Sequence, residues 1–164
     1  MSNFEEEFPS TFLYPDFKET NVIQSLGHAT LYVLDQKKAY DVYVNKFGFK
    51  VAMDMEMNGG LRWLTVSTPA QPDLAILLAE PKAPMIEPEL IPHFLAILNA
   101  DASGGGVWET DNCEATYKDL KAKGIVFTKE PKQEFYGIEA LFLDGCGNWF
   151  SLVQRPKKEA RQGS

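Results

Sequence analysis

The sequence predicts an α+β fold of two tandem βαβββ modules, and three observations carry that expectation. A half-buried strand running into a capped helix occurs twice, at Leu26–Asp35 and again at Gly104–Asp111. The two copies share their punctuation: an Asp closes each strand (Asp35, Asp111), an Ala stands four positions on (Ala39, Ala115), and a Gly stands thirteen positions on (Gly48, Gly124), where a helix would end. Each copy is then followed by further strand patterns separated by turn residues. A duplicated unit of this kind puts a binding site between its halves.

Residues 1–23 are acidic yet carry Phe4, Phe8, Phe12 and Phe17, too many aromatics for a disordered leader, so an arm laid over the fold or over a partner subunit is expected. The first module spans 24–80. Its His28, Thr30 and Tyr32 alternate with Ala29, Leu31 and Val33, the two-residue period of a strand. Asp35 is placed to cap the next helix by accepting from its free first-turn amides, and Ala39, Tyr43 and Phe47, with Tyr40 and Val44 beside them, form an apolar stripe. Strands follow at Phe49–Met57, Arg62–Ser67 and Leu74–Ala79, and Asn58-Gly59-Gly60 suits the first turn because those residues accept positive φ. The row Val51, Met53, Met55 and Met57 reads as core packing, since thioether chains fill irregular gaps.

Residues 81–103, broken by Pro81, Pro84, Pro88 and Pro92 with room for a short helix at Leu90–Leu98, form a connector. The second module, 104–156, repeats the order. Strand Gly105–Thr110 leads to helix Asn112–Lys123, with Cys113, Tyr117 and Leu120 inward, and then to strands near Ile125–Lys129, Ile138–Leu143 and Trp149–Gln154. Two open sheets have exposed edges, which edge-to-edge pairing would remove. Residues 157–164 read as a solvated basic tail.

With 164 residues the chain can bury about 68–70% of its unfolded surface, enough for a core and a cavity. A formal charge of −7 argues against nucleic acid or an anionic membrane as partner, because such binding needs a concentrated basic face. Cys113 and Cys146 lack the spacing of a metal knuckle or redox pair, and Glu5-Glu6-Glu7 stands where a signal peptide would be basic and then apolar. A reduced, cytoplasmic setting follows as the expectation.

The segments His28-Ala29-Thr30-Leu31-Tyr32-Val33, Ala39 through Phe49, Arg62-Trp63-Leu64-Thr65-Val66, and Asp144 through Gln154, in this order, resemble the vicinal oxygen chelate superfamily, which includes glyoxalase I, bleomycin-resistance proteins and extradiol dioxygenases. The resemblance implies curled, mostly antiparallel sheets around a cavity, commonly in a homodimer. It also implies, in the metal-dependent members, a divalent ion held by four side chains, whose places fall on His28, Leu77, Gly105 and Ser151. Of these only His28 is a metal ligand, and a catalytic divalent site needs about three His or carboxylate ligands. No metal and no other cofactor is therefore expected.

The candidate residues follow from that cavity. His28 is a candidate general acid or base, its side chain titrating nearest neutrality. Glu109, read as sharing the face of Gly105, is a candidate for proton transfer or for a structural ion pair with Arg62. Trp63, Trp108 and Trp149 offer flat walls to an aromatic or conjugated ligand, Trp149 first among them, with Arg62 and Trp63 left as alternatives for the inward position. Ser151 shares the face of Trp149, and Tyr136 would border the cavity mouth. The expected function is a glyoxalase/bleomycin-resistance-like protein that holds a small organic molecule in an apolar cavity. The alternatives are a glyoxalase-like lyase or isomerase using His28 and Glu109, and a metal-dependent member with non-standard ligands.

Overall fold

The chain is described here at residue 23 and residues 25–156 of a computed structural model. Apart from Ile23, the aromatic arm lies outside the described residues, as does the tail at 157–164. Two four-stranded sheets make up a mixed α+β fold. The first contains β1 (His28–Tyr32), β2 (Lys50–Met57), β3 (Leu61–Thr68) and β4 (Gln71–Ala79) in the order β1-β4-β3-β2, with β1 parallel to β4 and the other pairs antiparallel. The second contains β5 (Ser103–Glu109), β6 (Val126–Glu134), β7 (Gly137–Leu143) and β8 (Asn148–Gln154) in the matching order β5-β8-β7-β6.

The helices explain why the modules close on each other. Asp35 caps α1 (Gln36–Tyr40), its Oδ1 accepting from Lys37 N at 2.7 Å and Lys38 N at 2.9 Å. Both backbone bonds hold its carboxyl below the usual carboxylate range. Asp35→Ala should lower stability measurably in thermal or urea unfolding, because the first-turn amides lose their acceptor. In the second module the cap is Asn112, one residue beyond Asp111, and it accepts from Ala115 N ahead of α3 (Cys113–Ala122). Beyond Tyr40, residues Asp41–Lys46 widen into a π-helical turn, with Phe47 N bonded to Val42 O. The added residue per turn rotates the expected stripe, so Val42 is buried and Val44 only partly so.

One core forms between the modules. Leu31, Val33, Tyr43, Leu64, Val66 and Leu78 pack in the same cluster as Cys113, Leu120, Ala140, Phe142, Phe150 and Leu152. Phe47 meets Phe142 edge-on at 5.8 Å and Phe49 meets Trp108 at 5.2 Å. Polar ties cross the same seam: Tyr43 Oη donates to Asp144 Oδ2 at 2.8 Å, Asn148 Nδ2 to Tyr32 O at 3.0 Å, and Leu34 N to Cys146 O at 3.0 Å.

The helix-bearing faces of the two sheets meet in that core, and a cleft of about 260 Å³ lined by Phe47, Phe49, Trp108, Glu109, Leu120 and Phe142 lies between the modules. Two expectations are corrected. Among the described residues the sheets do not pair edge to edge. Finally, Met53, Met55 and Met57 are not core but 47%, 46% and 43% exposed, because their face of β2 is turned away from the helices. β6 runs on to Glu134 through Pro131, which an outermost strand tolerates because one side of it has no ladder to lose. The short helix of the connector is α2 (Ile91–Asn99), whose Phe94 packs edge-on against Tyr32.

Candidate ligand-binding site

Strand alternation gives each sheet a second face opposite the core, open over part of its area. On the first sheet, Leu64 and Val66 point into the core, so Trp63 and Thr65 take that second face, where Thr65 and Leu77 are themselves buried and the methionine row is exposed. The register sets Met55 opposite Trp63 and Met53 opposite Thr65, and Thr65 in turn opposite Leu77. His28 lies on this face, its ring centroid 6.4 Å from that of Trp63. The choice between Arg62 and Trp63 is thereby resolved: Trp63 takes the open face. Arg62 lies on the other side, where it makes a two-pronged bond to Asp54 at 2.8 Å through both nitrogens and stacks over Tyr40 at 5.9 Å. That guanidinium holds the Asp54 carboxyl below its usual range.

On the second sheet Phe150 and Leu152 are core, so Trp149, Ser151 and Val153 take the opposite face, where Trp149 is exposed and Ser151 and Val153 are buried. Val107 and Leu141 both stand opposite Ser151, and Glu139 stands opposite Val153. Together they surround a hollow of about 370 Å³ lined by Val107, Tyr136, Glu139, Leu141, Trp149 and Ser151, with Arg155 at its edge. Trp149 is 43% and Val107 56% exposed, large apolar surfaces that solvent would not otherwise be given.

The end of this hollow is polar. Ser151 Oγ donates a short hydrogen bond to Glu139 Oε1, and Lys129 Nζ donates to Glu139 Oε2 at 2.8 Å and to Glu134 Oε1 at 2.7 Å. Lys129 first and Ser151 next hold the Glu139 carboxyl below the ordinary range, and the two carboxylates raise Lys129 well above that of a free lysine. Desolvation and its bond to Glu139 push the Tyr136 phenol up, so it stays a neutral donor. A lysine held charged in this way is not a nucleophile or base at neutral pH.

The structure therefore gathers Tyr136, Trp149 and Ser151 in one hollow and sets His28 with Trp63 on the other open face. Glu109 shares the open face with Val107 but is exposed and ion-paired with Arg155, so the expected Glu109–Arg62 pair is replaced by two local ones. Glu109 also does not share the face of Gly105. The register slips between Gly104 and Gly106, where Gly106 has φ 113°, and the bulge turns Gly105 toward Phe150 in the core. Sequence reasoning missed Glu139 and Lys129. The usable signal was a single acid in the otherwise apolar strand Ile138–Leu143.

The four places that the resemblance assigns to a divalent ion carry few donor side chains. The place opposite Ser151 on β5 belongs to Val107, Leu77 offers no donor, and the Ser151 hydroxyl is spent on Glu139. Among the described residues no three His, Cys, Asp or Glu side chains gather as such an ion requires. No helix among them is long and apolar enough to cross a membrane.

Comparison with known proteins places these observations. A family model described as the Glyoxalase/Bleomycin resistance protein/Dioxygenase superfamily matches residues 25–152. A protein of Shewanella frigidimarina (strain NCIMB 400) is 31% identical over 140 residues, 83% of this chain and 97% of its own. The crystal structure of UcmS2 superposes with a TM-score of 0.75 at 39% identity, over 80% of this chain and 98% of that one. TnmS3, an antibiotic binding protein from Streptomyces sp. CB03234, superposes with a TM-score of 0.65 at 27% identity, over 82% and 98%. With the sheet order, the paired modules and these matches in agreement, the chain belongs to the glyoxalase/bleomycin resistance protein/dioxygenase superfamily.

Proposed function

We propose that this protein is a bleomycin-resistance-like binding protein that holds a small, largely flat organic molecule without a metal. The observation that carries the reading is the hollow on the second sheet, where an exposed Trp149 and a half-open aliphatic wall stand beside one polar cluster. That mixture, mostly apolar with a few placed polar groups, is what small-molecule sites share. The first sheet presents a complementary surface, the methionine row with Trp63 and His28, and in our reading a second copy lays this face over the hollow in a homodimer. The antibiotic-binding description of TnmS3 supports the same class of ligand. Two buried free thiols, Cys113 and Cys146, suit a reducing, cytoplasmic compartment. Proton transfer by His28 and Glu109 has less support, since Glu109 is committed to Arg155.

Fluorescence titration with a panel of fused-ring aromatics tests this reading. Binding is expected, and Trp149→Ala should weaken it about tenfold, or about 1.4 kcal/mol, while the melting temperature hardly moves because the side chain is half exposed. Sedimentation of the free protein should give twice the chain mass. Binding indifferent to Trp149, or stoichiometric zinc, nickel or iron in protein purified without added metal, would sink the proposal.

A further inference from the structure

Three glycines stand in a row in β5, and each is bare for a different reason. Gly105 is turned into the core by the bulge, where a side chain would run into Phe150, and Gly106 has φ 113°, a conformation that suits glycine. Gly104 is under neither constraint. Its φ lies outside the left-handed region and the residue is exposed, so its own backbone would accept a side chain. Glycine inside a strand weakens it and often marks a place where another group comes close.

The group that comes close is Trp149. The register sets Gly104 directly opposite it on β8, and a Cβ built at 104 would lie 3.2 Å from Cζ2, 3.4 Å from Cε2 and 3.5 Å from Nε1 of the indole. One edge of the ring thus rests in space that a side chain at 104 would fill. Trp149 shares its row of the sheet with Gly104 and Leu143, and the next row along the strands is Val107, Ser151 and Leu141. With the indole laid toward β5, the ring stands as a wall beside that second row, and the hollow between them stays open. The indole is 43% exposed, so a side chain placed at 104 can push it outward without breaking the sheet.

We infer that Gly104 is the residue that positions Trp149: its missing side chain is the seat on which the indole rests, and what stands there decides how much ring surface a flat guest meets. The inference rests on the small-molecule reading and adds to it a residue outside the lining of the hollow. An account in which Trp149 merely shields a glycine of the outermost strand predicts otherwise. On that account, filling position 104 alters stability and leaves binding alone.

The test titrates the whole chain with acridine, kept neutral in mildly alkaline buffer, by fluorescence anisotropy, and follows thermal unfolding alongside. Gly104→Val should weaken acridine binding about tenfold, as loss of the Trp149 wall does, and Gly104→Ala should weaken it less, because a methyl group displaces the ring less. The melting temperature should hold or rise in both, since each replaces the residue that loses most freedom on folding. In a Trp149→Ala chain, where the wall is already gone, Gly104→Val should change the remaining affinity by less than about twofold. Affinity unchanged by Gly104→Val, an equal loss in the Trp149→Ala chain, or a melting temperature that falls with the affinity overturns the inference while flat-ligand binding stands. Failure of acridine to bind the parent chain removes the small-molecule reading, and the inference with it.

Discussion

Replacing Asp144 by Ala should lower the unfolding free energy by about 3–5 kcal/mol, the range for uncovering a buried charged network. Asp144 is 1% exposed and accepts four bonds: Tyr43 Oη at 2.8 Å, Cys146 N at 2.7 Å, Asn148 N at 2.9 Å and Asn148 Nδ2 at 2.9 Å. Removing the carboxylate strands donors from both modules at once, and each buried donor left unpaired costs about 1–3 kcal/mol. Tyr43→Phe removes only one of the four and should cost about 1.5–3 kcal/mol, as for a hydrogen bond to a charged group. Burial raises the Tyr43 phenol well above its ordinary value, so this bond does not weaken by ionisation anywhere in the working pH range. Urea unfolding followed by tryptophan fluorescence measures both variants. Asp144→Ala within 1 kcal/mol of the parent chain would show that the apolar seam alone holds the modules together.

The sequence made the repeated unit legible because caps, turns and alternation are local. Asp35 caps its helix as read, Asn58-Gly59-Gly60 turns with both glycines at positive φ, and Cys113, Tyr117 and Leu120 are the inner stripe of α3. Alternation divides each strand into two faces but does not say which face meets the other module. A methionine row at strand spacing therefore predicts core, although Met53, Met55 and Met57 are exposed. Glu139 escaped notice for a related reason. Its role depends on Lys129 and Ser151, which reach it from the neighbouring strands β6 and β8, and no local pattern joins them.

The largest departure from sequence phase is the bulge in β5, and it makes a prediction of its own. Gly105→Ala should destabilise the protein by about 3 kcal/mol, the upper range for overfilling a packed core. A Cβ built there would lie 2.0 Å from Phe150 Cε1, and Phe150 is held by Trp108 at 5.6 Å and Phe142 at 5.5 Å between ring centroids. Val107→Ala, two residues on and facing the hollow, removes exposed surface and should cost under about 1 kcal/mol. Unbulged alternation puts residues 105 and 107 on one face and predicts similar, small effects for both, so their difference in chemical denaturation measures the register slip directly. Comparable values for the two variants would mean that β5 pairs with β8 without the bulge. Gly105 would then share the open face with Ser151, and a histidine installed at 105 would become a possible ligand. With the bulge in place that histidine would be driven into Phe150, and Val107 is the β5 position from which a side chain reaches the hollow.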